Sequence, residues 1–276
     1  MKIFKTCNEL VAELAQQSAK VGFVPTMGAL HAGHVSLVEQ ARKSCDTVVV
    51  SVFVNPTQFN DPKDLENYPR TLEADALLLE AAGADIVFAP TVDEIYPQTD
   101  NRIFDFGLID KVLEGAMRPG HFNGVAQVVS RLFDIVKPNL AFFGEKDFQQ
   151  LAIIRELVSQ LELGIEIVGC PIIRAESGLA LSSRNTLLKP EHLEIAPLIY
   201  KTLSEATEMS KTQDIETVKK YVLETINSSK LLEVEYFEIV NADSFEDVSS
   251  FDCACNKRGC IAVYAGEIRL IDNIKF

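Results

Sequence analysis

Five short runs of β-branched and aromatic residues, Val21 to Val24, Thr47 to Val54, Ile86 to Phe88, Leu140 to Phe143 and Ile165 to Val168, alternate along the chain with helical patterns. The intervening segments Val35 to Lys43, Leu72 to Ala82, Gly124 to Val136 and Gln149 to Leu161 carry apolar residues at mixed spacings of three and four, as crossover helices do. Gly83 marks the stop of the second helix. This rhythm predicts an α/β fold built on a Rossmann-like parallel sheet with helices on both faces.

Past about residue 175 the pattern changes to polar helical segments, Glu191 to Met209 and Ile215 to Asn227, followed by strands near Val234 to Val240, Cys260 to Tyr264 and Ile268 to Ile271. These predict a smaller C-terminal α+β domain, so the expected division is 1–175 and 176–276, joined near Arg174 to Gly178. His192, in the first polar segment, is expected to be exposed.

The 276 residues are 47% hydrophobic and 24% charged, enough to bury a sizeable core without the polarity of a disordered chain. Forty acidic residues against 26 basic ones leave a formal charge of -14, which repels nucleic-acid phosphates; an anionic ligand must be held by a local cluster. No apolar run reaches the roughly 18 residues of a membrane span. Nothing at the N-terminus resembles a signal peptide, and the six cysteines, Cys7, Cys45, Cys170, Cys253, Cys255 and Cys260, are expected to be reduced thiols of a cytoplasmic protein.

In open parallel sheets ligands sit beyond the carboxyl ends of the strands. The stretch VPTMGALHAGH, Val24 to His34, falls there. Gly28 and Gly33 permit close backbone approach, and a helix starting near Gly33 aims its positive dipole end at an anion. Two imidazole donors, His31 and His34, complete a phosphate cradle; a zinc site is weaker, because zinc-binding helices place histidines at i and i+4 with a third ligand.

Further polar groups emerge at other strand ends. VFVNPTQF offers the amides of Asn55 and Gln58, which suit a hydroxylated or carboxylated small molecule, although Asn-Pro also reads as turn chemistry. GEKDFQQ offers Gly144, the point charge of Lys146, Asp147 as helix cap or metal aid, and Gln150 one turn further on. LALSSRN sets two hydroxyls beside Arg184 at the domain junction, where a loop can close on a ligand and exclude water. RPGHFNGV brings His121 between Gly120 and Gly124, either an anion-binding loop or a turn entering a helix. CACNKRGC lacks a C-x-x-C pair and a histidine, so its cysteines are expected in core or strand positions.

Taken in order, VPTMGALHAGH, SVFVNPTQF, NYPRTLEAD, RPGHFNGV, FFGEKDFQQ, ALSSRN and RLIDN closely resemble the pantoate-β-alanine ligase family within the HxGH nucleotidylyltransferases. Ser177 stands where that family has Asp, and Leu187 where it has Tyr. The resemblance implies ATP-dependent joining of pantoate to β-alanine through a pantoyl adenylate, with Mg2+ as cofactor, metal ligands undetermined, and a homodimeric assembly. It implies catalytic roles for His34, His31 and Lys146. It places ATP against these three and against Met27, Gly28, Ala29, Leu30, Ala32, Gly33, Gly144, Glu145, Asp147, Ile173, Leu181, Ser182, Ser183 and Arg184, and pantoate against Gln58 and Gln150 with Asn55 close behind. Tyr68, Arg70 and His121 are motif members without an assigned role, and the C-terminal domain is expected to act as a lid.

Two rival readings stay open on sequence. One is an HxGH transferase that moves a nucleotide onto a phosphorylated acceptor, which leaves the GEKDFQQ and NPTQF segments unexplained. The other is a nucleotide-binding sensor without turnover, motivated by Ser177 and Leu187.

Overall fold

A computed structural model describes residues 1–16, 19–59 and 62–276. They fall into two compact units. The first comprises Met1–Phe106, Gly115–Glu145 and Gln149–Pro171; the second comprises Gly107–Glu114, Lys146–Phe148 and Ile172–Phe276.

The first unit is built on six parallel strands, β1 (Lys2–Phe4), β2 (Val21–Thr26), β3 (Thr47–Val52), β4 (Ile86–Phe88), β5 (Leu140–Gly144) and β6 (Glu166–Cys170). Their order across the sheet is β1-β4-β3-β2-β5-β6. The winding reverses between β2 and β5, paired at Gly22–Leu140 and Phe23–Ala141, and such a switch point is where open α/β sheets take up ligands.

The helices up to β6 are α1 (Cys7–Leu14), α2 (Ala32–Ser44), α3 (Pro62–Asn67), α4 (Leu72–Ala81), α5 (Val92–Ile95), α6 (Leu113–Met117), α7 (His121–Val136) and α8 (Phe148–Gln160). Successive strand residues point to opposite faces. On one face Val24, Val48, Val50, Val87 and Phe142 pack with Leu37, Val38 and Ala41 of α2 and Leu79 of α4. On the other, Phe23 meets Phe133 of α7 edge-on at 6.2 Å between ring centres. The expected two-faced sheet is thus present, and its doubly covered strands explain their continuous apolar sequence.

The second unit holds a separate antiparallel sheet, β7 (Leu232–Asn241), β8 (Lys257–Ala265) and β9 (Ile268–Lys275), in that order. Helices α9 (Pro190–Ile195), α10 (Leu198–Met209) and α11 (Ile215–Asn227) precede it. Asp214 caps α11 by accepting the N–H of Thr217 at 2.7 Å. Leu203 and Ala206 of α10, Val218, Val222 and Ile226 of α11, and Phe237, Ile261 and Val263 of the strands form the core.

Three expectations are corrected. The segment Glu191 to Met209 is two helices, because Pro197 has no N–H to continue α9 and instead sits at the cap of α10. His192 is 8% exposed, since the short helix α9 turns that face onto the Gly266 turn between β8 and β9. Cys253 and Cys255 form a disulfide: their one-residue spacing in the turn before β8 puts their Cα atoms 5.6 Å apart, within bridging range. Cys7, Cys45, Cys170 and Cys260 are free thiols, the last three buried.

Candidate nucleotide and carboxylate site

The loop after β2 departs from ordinary backbone. Gly28 has φ +85° and Ala29 φ +52°, a left-handed pair in which the non-glycine residue is disfavoured without outside support. Asp75 in the first turn of α4, 1% exposed, supplies that support. Its Oδ2 accepts the N–H of Ala29 at 3.0 Å and its Oδ1 that of Leu30 at 2.9 Å, with the Thr71 hydroxyl donating to Oδ1 at 3.2 Å. One buried carboxylate thus fixes the approach to His31. A side chain on Gly28 would place Cβ 3.1 Å from Asp75 Oδ2 and force a left-handed φ on a larger residue, so substitution there strains the loop.

α2 then starts at Ala32, one residue before Gly33, because His31 acts as its cap. His31 Nδ1 accepts the N–H of Gly33 at 3.1 Å, and His34 Nδ1 accepts the N–H of His31 at 3.3 Å, a reciprocal pair analogous to a capping box. The rings lie 4.1 Å apart, tilted by 43°. An imidazole nitrogen that accepts carries no proton, so each neutral ring bears its proton on Nε2. The expectation that the helix N–H groups themselves are free for an anion changes accordingly: the backbone donors of His31 and Gly33 are taken by Nδ1 atoms.

Beyond β3, the Pro56–Gln58 turn is held from below. Asn55, 1% exposed, donates through Nδ2 to Gln58 Oε1 and to Gly124 O, both at 3.2 Å; its Oδ1 accepts from the Tyr96 hydroxyl at 2.9 Å and from Thr57 at 3.2 Å. Asn55 is thus an internal tie whose amide orients Gln58. Gln58 Nε2 in turn lies 3.0 Å from Met27 Sδ, so the sheet's two neighbouring loops meet at these side chains.

RPGHFNGV turns into α7 and packs it against this turn. A Cβ on Gly124 would lie 2.3 Å from Thr57 O, so only glycine lets α7 press against the turn. His121, the first residue of α7, sits three residues earlier than the expected start of that helix. It donates from Nδ1 to Gln58 O at 2.8 Å, leaving Nε2 to accept from Arg118 at 3.2 Å. Arg70 donates to Tyr68 O and Leu65 O, and the Tyr68 ring packs edge-on to Phe59 at 5.7 Å, so both serve the local chain path.

β5 ends at Gly144, and Glu145–Asp147 form one tight turn before α8, whose first turn carries the half-buried Gln150. Lys146 belongs to the second unit, where its Nζ is 3.7 Å from the exposed Asp147. In that unit Leu181 N–H donates to Ile173 O at 2.9 Å, closing a short hairpin around the exposed Ser177. Ser182 caps the Ser183–Leu187 turn by accepting the N–H of Arg184 at 3.3 Å, and Leu187 at its end is exposed. A small cavity is lined by Lys146, Ser182, Asn185 and Asp272, which brings the lysine and the first serine around one space.

The structure therefore gathers His31, His34, Met27 and Gln58 at the carboxyl ends of β2 and β3, and Lys146 with Ser182 in the second unit. Sequence reading missed Asp75. Its signal was the Thr71-x-x-x-Asp75 spacing at a helix start, which says nothing of partners 45 residues away. Among the described residues, no group of three His, Cys, Asp or Glu side chains is placed to hold a metal ion.

The chain's relatives agree in kind. The family described as pantoate-beta-alanine ligase matches residues 2–275. Pantothenate synthetases of Bacteroides fragilis (strain YCH46) and Bacteroides thetaiotaomicron are 53% and 54% identical over 279 residues, covering 100% of this chain and 99% of each relative. The crystal structure of pantothenate synthetase from Thermus thermophilus superposes with a TM-score of 0.94 at 43% identity, covering 100% of this chain and 99% of that one. Pantoate-beta-alanine ligase from Francisella tularensis, complexed with beta-gamma ATP and beta-alanine, superposes with a TM-score of 0.82 at 37% identity, covering 100% of this chain and 97% of that one. With a family match from end to end and the same fold, this chain belongs to the pantoate-β-alanine ligase family.

Proposed function

We propose that the protein condenses pantoate with β-alanine at the expense of ATP, in two steps. The pantoate carboxylate attacks the α-phosphorus of ATP and the bond to pyrophosphate breaks, giving pantoyl adenylate. The β-alanine amine then attacks the acyl carbon and AMP leaves with the carboxylate oxygen it received. The observation that carries this reading is the reciprocal His31–His34 pair at the carboxyl end of β2, with Gln58 on the neighbouring loop.

A carboxylate is its own nucleophile, so no activated Ser or Cys is required; the protein must align the reactants and neutralise charge that builds on the phosphates. His31 and His34 donate to the phosphates, with His34 the proton donor of the pair. Lys146 neutralises the α-phosphate region. Ser182, Ser183 and Arg184 take the outer phosphates, Arg184 with two parallel hydrogen bonds. The segments Met27–Gly33 and Gly144–Asp147, with Ile173 and Leu181, bind the nucleotide. Gln58 and Gln150 hold pantoate, and Asn55 acts through Gln58.

Mg2+ bound with ATP would shield phosphate charge. Among the described residues no group of three His, Cys, Asp or Glu side chains is placed to hold it, and its ligands on the protein are left open, with the ATP phosphates able to provide most of the coordination. A homodimer and a cytoplasmic location belong to the same reading; no described helix is long and apolar enough to cross a membrane.

Purified protein with ATP, Mg2+, pantoate and β-alanine tests the proposal: pantothenate, AMP and pyrophosphate are expected in equal amounts. ATP binding without product would favour the sensor reading, and nucleotide transfer to a phosphorylated acceptor would favour the other transferase.

A further inference from the structure

The RLIDN segment near the C-terminus is one of the motifs shared with the family, yet no step above uses it. Its last two residues, Asp272 and Asn273 on β9, are 6% and 3% exposed. Burying a carboxylate and an amide is costly unless they are hydrogen-bonded. Both Asp272 oxygens accept from Arg174, NH1 at 2.6 Å and NH2 at 2.9 Å. The same guanidinium lies 3.6 Å over the Tyr200 ring and donates to Gly178 O at 3.2 Å, so it pins the turn that leads into Ser182. Asn273 donates from Nδ2 to the carbonyl oxygen of Lys146 at 2.9 Å. Next to it Phe148 is clamped between the Phe245 ring at 5.4 Å and the Arg258 guanidinium at 4.5 Å.

Two adjacent residues of one strand thus hold two loops whose side chains, Lys146 and Ser182, line a common cavity. We infer that Asp272 and Asn273 are positioning residues for the adenylation step: Asn273 sets the backbone from which the Lys146 ammonium reaches the phosphate, and Asp272 sets the loop bearing Ser182 to Arg184. The inference rests on the functional reading above. A lysine is a point charge on a flexible stem, so its delivery depends on where its backbone is held, and a misplacement of about 1 Å is enough to cost up to about a hundredfold in rate.

The test is pantoate-dependent exchange between ATP and labelled pyrophosphate, with substitutions made singly and in pairs. Asn273→Asp keeps the size but sets a carboxylate oxygen against the Lys146 carbonyl. It and Asn273→Ala are expected to lower kcat about tenfold while KM for pantoate stays within about twofold. In a Lys146→Ala background the same Asn273 substitutions are expected to change the residual rate by less than about twofold, because they act through the lysine. Asp272→Asn is expected to raise KM for ATP in the parent protein and to lose that effect beside Arg184→Ala.

Losses that multiply fully in the double variants would overturn the inference, as would wild-type kcat in a folded Asn273→Asp. Circular dichroism and thermal unfolding identify any variant that fails to fold; if Asn273→Ala does, the near-isosteric Asn273→Asp carries the test. Absence of pantoate-dependent exchange in the unsubstituted protein would instead overturn the functional reading.

Discussion

His34 Nδ1 accepts the backbone N–H of His31 at 3.3 Å, so the second histidine of the HxGH motif is oriented by the first. The observed cap at Nδ1 and the proposed phosphate contact at Nε2 fall on different nitrogens of His34 and are separable. His34→Asn keeps an acceptor near the Nδ1 position and loses the Nε2 donor; it is expected to fold and to lose pyrophosphate exchange by about a hundredfold or more. His34→Gln, which returns an N–H donor near Nε2, is expected to recover part of that loss. Equal exchange rates in His34→Asn and the parent protein would remove His34 from the chemistry.

Asp75 is expected to act on the same donors from a distance. Asp75→Ala strands the N–H groups of Ala29 and Leu30 in a left-handed turn, at a cost of about 2 to 4 kcal/mol. Exchange is expected to fall about tenfold or more as the His31 approach loosens. Asp75→Asn, which keeps one acceptor oxygen, should lie between the two. Urea unfolding alongside kinetics checks both, and a variant with unchanged exchange would show that the loop needs no clamp.

The Gly124–Thr57 contact predicts a coupled loss of stability and pantoate binding. Gly124→Ala drives a methyl into Thr57 O and must displace the turn that carries Asn55 and Gln58. Destabilisation of about 2 kcal/mol or more and a raised KM for pantoate are expected together. A raised KM without loss of stability, or the reverse, would separate α7 docking from Gln58 placement.

Asp100 supplies a pH-dependent prediction. Hydrogen bonding from Arg102 holds its carboxyl well below the usual carboxylate range, with burial opposing and Arg131 adding to the shift. The partners lie at 2.6 Å for Arg102 NH2 and 2.7 Å for Arg131 Nε. Because the folded pKa is depressed below the unfolded value of about 3.9, this stabilisation is complete above that value and is lost as pH falls towards the folded pKa. Asp100→Asn is expected to cost about 2 kcal/mol at pH 7. Its gap from the parent protein should narrow below about pH 4. A gap that is constant from pH 7 to pH 3 would show that charge is not the cause.

What the sequence revealed and what it withheld follow from the range of the interactions. Strands such as Thr47–Val52 and helices such as Ile215–Asn227 were readable because periodicity is local. The cap made by His31 was not readable, since imidazole is outside the usual capping set. Asp75, 45 residues from the loop it clamps, was silent, because a carboxylate in a first helical turn looks the same whether it faces water or two buried N–H groups. Gly124 was read as loop chemistry when its reason is a neighbouring carbonyl. The allegiance of Lys146 to the second unit, through Asn273 some 127 positions later, had no local trace at all.

In the proposed reaction the pantoate carboxylate attacks the α-phosphorus of ATP. Pantoate labelled with 18O in both carboxylate oxygens, turned over with ATP and β-alanine and analysed by mass spectrometry, tests it directly. One 18O is expected in AMP and one in pantothenate, with pyrophosphate unlabelled. Label in pyrophosphate or orthophosphate, or AMP without label, would contradict it.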